Sequence, residues 1–165
     1  MYLAYARNKH ACVLEQPDGS LLARAAVEED FFAARVEITV GVPGLEILAV
    51  NAAIERCFHE RCRRALAPAA GIAGLRIGPG IIKLVNHTTG GTAGCPRLAD
   101  LILECCDQVI LRFTLDPLKQ ILDKKGEEMI AAYKEFLSQN PRLLDSCIAF
   151  APDSPLREGL DLEEL

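Results

Sequence analysis

The stretch of this chain best suited to chemistry is Gly90-Gly91-Thr92-Ala93-Gly94-Cys95-Pro96, a glycine-rich loop that opens a helix on a cysteine. Glycines at 90, 91 and 94 let successive backbone N–H groups turn inward and form an anion-binding concavity. The helix that follows adds its own unpaired N–H groups and the positive end of its dipole. The same dipoles favour a thiolate, so among seven cysteines Cys95 is the expected nucleophile or metal ligand. Gly90, Gly91, Thr92 and Gly94 are then the expected cradle of an anionic cofactor. The loop has neither the Gly-Lys-Ser/Thr of a Walker A motif nor the dinucleotide fingerprint. A plainer reading stands beside this one: the glycines make a tight connection and Cys95 is a buried cap.

Cys57-Phe58-His59-Glu60-Arg61-Cys62 puts two thiols and an imidazole, the donor types of a Zn or Fe site, within six residues. On a helix, positions five apart point roughly 140° from one another, so Cys57 and Cys62 do not grip one ion. One of them is expected in the core and the other facing a site, with core packing the favoured reading. The candidate metal set is therefore Cys95, Cys57, Cys62, His59 and His87, the last lying just before the glycine loop. His87 or His59 is also the candidate base if Cys95 is a nucleophile. Cys105 and Cys106 diverge on a helix, and at least one belongs to the core stripe. Cys12 and Cys147 are expected to be packing residues.

The elements that must position these groups read as α+β: a three- to four-stranded antiparallel meander in the N-terminal half, covered by C-terminal helices. Strands are expected over 10–16, 21–27, 32–40 and 45–50. Val36, Ile38 and Val40 alternate with Arg35, Glu37 and Thr39 at the period of a half-buried strand. Pro17-Asp18-Gly19-Ser20 and Val42-Pro43-Gly44 supply the turns. A helix is then expected over 51–66, with Asn51 as N-cap and Pro68 closing it. Pro79 is expected in the first turn of a short helix through Val85, with a buried strand over 81–85 as the alternative. An amphipathic helix follows Cys95 to about Phe113. Asp116 and Pro117 are expected to cap and open another, split or kinked near Gly126 and ended by Asn140-Pro141. Residues 1–150 are expected to form a single α+β domain, and 151–165 an acidic, partly frayed tail.

Composition narrows the partners. Half of the 165 residues are hydrophobic and a quarter are charged, with no Trp and few aromatics, so the core is expected to be aliphatic. A net charge of −5 argues against binding the nucleic-acid backbone, which needs Lys and Arg to displace counterions. The arginines at 56, 61, 63 and 64 are interleaved with Glu55 and Glu60 and read as a solvated helix face. Arg7, Lys9 and His10 interrupt the start before an export signal forms, and no apolar run reaches the length of a membrane span. A cytoplasmic protein with reduced thiols is expected, with no membrane partner. A sheet open on one face points to a homodimer or another protein partner, with the helix expected over 116–139 as the alternative cover.

From about Glu46 to Ile110 the order of features resembles the bacterial domain-of-unknown-function family 2889. The residues that carry the likeness are Ala53, Cys57 to Cys62, Ile77-Gly78-Pro79-Gly80, Gly90-Gly91, Gly94-Cys95 and Leu98. The family pattern continues as Gly-Cys-Thr-His-Leu, where this chain has Gly94-Cys95-Pro96-Arg97-Leu98. Arg97 thus stands where the resemblance places a histidine, and any role of that histidine is lost or moved. The resemblance implies a fold grouping and no activity. A weaker architectural likeness to NifU/IscU-type iron–sulfur scaffold proteins puts Cys57 and Cys95 in comparable places and implies an iron–sulfur cluster. The third scaffold cysteine has no equivalent, since Cys12 lies in a strand and the nearby turn offers Asp18. Three functions stay open: a protein binding a metal or anionic cofactor at Cys95, a thiol enzyme with Cys95 as nucleophile, and an interaction module whose cysteines are all core.

Overall fold

The computed structural model describes residues 1–158, which fall into two compact units, Met1–Arg112 and the part from Phe113 onward. The first unit is built on four strands, β1 (Arg7–Glu15), β2 (Leu21–Glu29), β3 (Ala33–Gly41) and β4 (Glu46–Arg56). They pair antiparallel in the order β1-β2-β3-β4, a plain meander. At the first turn, Asp18 Oδ1 accepts from the Ser20 N–H at 3.0 Å and from its hydroxyl at 2.7 Å, while Gly19 takes φ +80°. Those two bonds stabilise the ionised carboxyl and hold Asp18 below its ordinary range. The second turn contains a cis Val42-Pro43 bond.

Period-two alternation divides the sheet. Leu21, Ala23, Ala25 and Val27 of β2 and Val36, Ile38 and Val40 of β3 are buried on the inner face. Cys12, Arg24, Glu37 and Asn51 form one row of the outer face. Cys12 is therefore exposed, contrary to its expected packing role, because the period turns Ala11 and Val13 inward instead. Cys147, also expected to pack, is exposed as well.

The largest departure from expectation lies after Val50. Residues 51–56 continue β4 rather than starting a helix, so Asn51 is not an N-cap. β3 is long enough to offer ladder partners down to Ala33, with Val36 opposite Ala52 and Ala34 opposite Ile54. That pairing overrides the helical spacing of the apolar residues. Cys57 lies just past the strand, and Cys62 falls in a 3-10 turn, Glu60–Ala65. A one-turn helix α1 (Leu66–Ala70) follows; it contains Pro68 in its first turn, where no N–H is needed, instead of ending at it. The segment after α1 closes the β4 edge: the Ile47 N–H donates to Leu75 O, the Gly74 N–H to Ile47 O and the Ile77 N–H to Leu45 O, all within 2.8–2.9 Å.

Helix α2 (Ile81–Thr88) starts on Gly80 at φ +89°, so 81–85 is helical and Pro79 precedes the first turn. Helix α3 (Pro96–Leu122) carries Leu98, Leu101, Ile102, Cys105 and Val109, all buried in the same cluster as Val36 and Ile38. Asp116 and Pro117 open no new helix. Pro117 lies inside α3, and the buried Thr114 and Ile121, seven positions apart, keep helical phase across it. The expected break does occur at Gly126, which takes φ +57° and begins α4 (Gly126–Gln139). Short 3-10 turns follow at Pro141–Leu143 and Ile148–Phe150, and Arg157 donates to Asp145 Oδ1 and Phe150 O. The acidic tail's residues 159–165 lie outside the described residues. No helix among the described residues is long and apolar enough to cross a membrane.

Cys105 and Cys106 both belong to the core, and the Cys105 thiol reaches Val36 O at 3.8 Å. Burial pushes Cys105 up to about 12 and Cys106 to about 11, from an ordinary 9.0. A raised thiol pKa lowers the thiolate fraction at pH 7, here by about a hundred- to a thousandfold. Iodoacetamide at pH 7 is therefore expected to leave both unlabelled in the native protein and to label both after denaturation. Native labelling of either at the rate of Cys12, read by peptide mass, would contradict this packing.

Candidate active cavity

The start of β1, the end of β2, the start of β3 and the end of β4 meet at one end of the antiparallel sheet. The chain turns there between β2 and β3, and the Glu29 N–H donates to Phe32 O at 2.8 Å. That tight link turns Phe32 into the core and leaves Phe31 outside. The 3-10 turn after β4 is tied back by the Arg63 guanidinium on Ile54 O. The N-terminus of α3 arrives at the same end. Together these segments enclose a cavity of about 450 Å³ lined by Cys62, Cys95 and Arg97, by Glu29, and by Phe and Tyr rings.

Glu29 anchors this end. Its carboxylate is almost wholly buried and takes the Arg7 guanidinium at 2.6 Å on one oxygen and the Arg97 guanidinium on the other. Arg56 donates to the Glu29 carbonyl at 2.6 Å. The Arg97 guanidinium also lies over the Phe32 ring, 5.1 Å from its centre. Arg97 is thus fixed by a carboxylate on one side and a ring on another, yet its side chain stays 45% exposed. With Arg7 and Arg97 set against Glu29, the cluster keeps one positive charge in excess.

The cavity brings together two of the five residues expected to hold a metal. Cys62 and Cys95 both line it, from the 3-10 turn and the start of α3, and both are half-buried. Cys57 packs against the core without lining the cavity. The helical argument that set Cys57 and Cys62 on different faces does not apply, because no helix spans them. His59 is exposed, and its Nδ1 accepts the Arg61 N–H at 3.1 Å, capping the 3-10 turn. His87 is exposed in the last turn of α2. Neither histidine lines the cavity, so neither faces Cys95 there as a base. Among the described residues, no group of three or more His, Cys, Asp and Glu side chains comes together as a metal site.

The glycine loop is built differently from the expected concavity. The Cys95 N–H donates to Thr89 O at 2.7 Å and the Gly94 N–H to Gly91 O at 3.4 Å, so the loop engages these donors itself. Of the four expected cradle residues only Gly94 lines the cavity; Gly90 is buried, and Gly91 and Thr92 are exposed. Steric closure explains the glycines. A Cβ on Gly94 would stand 1.8 Å from Thr89 O, and one on Gly90 2.5 Å from Asn86 O. Gly91 has open space but takes φ +68°.

Gly94→Ala is accordingly expected to cost several kcal/mol, as a forced backbone clash does, and Gly91→Ala only about 1–2 kcal/mol. Urea denaturation checks the order. A Gly94→Ala protein as stable as Gly91→Ala would show that the loop does not close in this way.

The residues that sequence reasoning missed are Glu29, Arg7, Tyr5, Phe31, Phe32 and Phe58; Arg97 was visible only as a departure from a pattern. No curated protein and no solved structure matches the chain, and the likeness to NifU/IscU-type scaffolds rests on no match. The family model described as "Protein of unknown function (DUF2889)" matches residues 16–111, which take in every residue lining the cavity except Tyr5. That match spans more than half of the sequence, and the chain belongs to this family.

Proposed function

We propose that this chain is a binding module that holds an organic anion in the cavity at the start of α3, with Arg97 as its counter-charge and Cys95 and Cys62 beside it. The observation that carries the reading is the cavity itself, which joins a fixed, part-exposed guanidinium to mostly apolar walls. A ligand pocket combines an apolar lining with a few placed polar groups, and about 450 Å³ lies within the usual range. Arg97 needs no reorganisation to accept a carboxylate, because Glu29 and Phe32 already hold it. Glu29 itself repels an anion little, since two guanidiniums neutralise it.

A second reading uses the same pair of thiols. Cys62 and Cys95 on one cavity offer two soft sulfur ligands, which suit a thiophilic cation. Elemental analysis of protein purified without oxygen, alongside Cys95→Ser, decides it: a metal present in the parent and lost in the variant would favour this reading.

For the anion reading, 2-naphthoate and decahydro-2-naphthoate are each compared with their methyl esters by calorimetry. The carboxylates are expected to bind at least tenfold tighter, about the worth of one charge-assisted hydrogen bond. Arg97→Gln should erase that preference while Arg7 still neutralises Glu29. Bound carboxylate should slow alkylation of Cys62 and Cys95 but not of the exposed Cys12. Esters binding as well as acids, or no saturable binding at all, would overturn the proposal.

A further inference from the structure

We infer that the ligand of this cavity carries a flat aromatic ring system, an inference that rests on reading the cavity as a site for an organic anion. The chain has six Phe, three Tyr and no Trp. Tyr5, Phe31, Phe32 and Phe58, four of those nine rings, line this one cavity. Few rings serve the core: Phe32, which also lines the cavity, and Phe136 are the buried ones, while the largest fully buried side chains are Ile, Leu, Val and Thr. Rings are therefore concentrated where the cavity is and sparse where packing alone decides.

The four reach the cavity from three separate places: the segment before β1, the β2–β3 turn and the segment after β4. Only Phe32 is buried. Tyr5 is 53% exposed, Phe31 77% and Phe58 83%. Large rings left in water at a cavity mouth gain nothing for the fold and present faces that a ligand can cover. Ring pairs favour offset or edge-to-face contact through their quadrupoles, beyond the burial of area. A saturated body of the same carbon skeleton gains the area without that contribution. Arg97 adds to the case, since a guanidinium that already lies over Phe32 can also take an aromatic ring through cation–π attraction while its N–H groups serve a carboxylate.

The test sets 2-naphthoate against decahydro-2-naphthoate, which share charge and skeleton and differ in the rings. A cavity that reads only apolarity would favour the saturated acid, the more hydrophobic of the two. The wild-type chain is expected to bind the aromatic acid about tenfold tighter, the yield of about two ring contacts. Phe58→Leu keeps an apolar side chain and touches no buried position, so the fold is expected to survive, with the thermal midpoint as control. In that variant the ratio between the two acids should fall to about threefold or less. Equal or tighter binding of the saturated acid would overturn the aromatic inference while leaving the organic-anion reading in place. The same holds if the ratio is unchanged in both Phe58→Leu and Phe31→Leu. Binding of neither acid would overturn both.

Discussion

A carboxylate taken out of water must be paired, and Glu29 is paired twice, by guanidiniums that reach it from two different elements. Arg7 brings the start of β1, Arg97 brings the first turn of α3, and Arg56 adds the end of β4 through the Glu29 carbonyl. Three segments far apart in sequence are thereby held at one end of the sheet, on the residue where β2 turns into β3. The cavity exists because this knot sets the distance between the sheet end and α3. Along the flank the same helix is pinned by weaker, more exposed pairs, Lys9 with Glu104 and Arg112 with Glu15. α3 therefore runs beside β1 with its charged fringe matched, while Leu98, Ile102, Cys105 and Val109 fill the space beneath the sheet.

How much of the fold was legible follows from which signals were local. The meander was readable because Val36, Ile38 and Val40 alternate and because Pro17 to Ser20 announce a turn. The boundary after Val50 was not. Ile54, Phe58, Cys62 and Ala65 mimic a helical stripe, and only the length of β3 on the far side of the turn decides that 51–56 are strand. That information is tertiary. Pro117 misled for a related reason: a proline inside an already nucleated helix forfeits a hydrogen bond but need not end the helix when its neighbours keep phase.

The candidate site was legible only in its thiols. Cys95 stood out by its position at a helix start, and Cys62 as one of two thiols in a short segment; the structure brings these two to one cavity. Glu29, Phe31 and Phe32 carried a signal that went unread, an acidic residue followed by two rings at the end of a strand. Glu29 continues the inward phase of Leu21, Ala23, Ala25 and Val27, but a carboxylate at the end of a strand reads as solvated surface until its partners are known. Tyr5 and Phe58 lie outside any regular element, and nothing local says that isolated rings from distant segments will face one another.

The glycine loop shows where the electrostatic logic of the site changes hands. Had its N–H groups pointed into the cavity, an anion would have met backbone dipoles, which accept any anion of suitable size. The loop closes on itself instead, with Thr89 O taking the Cys95 N–H and leaving no room for a Cβ on Gly94. What remains at the helix start is a side chain: Arg97, oriented by Glu29 and lying over the Phe32 ring. A guanidinium held in this way is more selective than a backbone nest, because its fork fixes the plane of an incoming carboxylate and its face favours a ring. The glycines thus serve the site indirectly. By drawing the chain tightly from α2 into α3, they bring Cys95 and Arg97 up to the sheet end, where Glu29 holds Arg97.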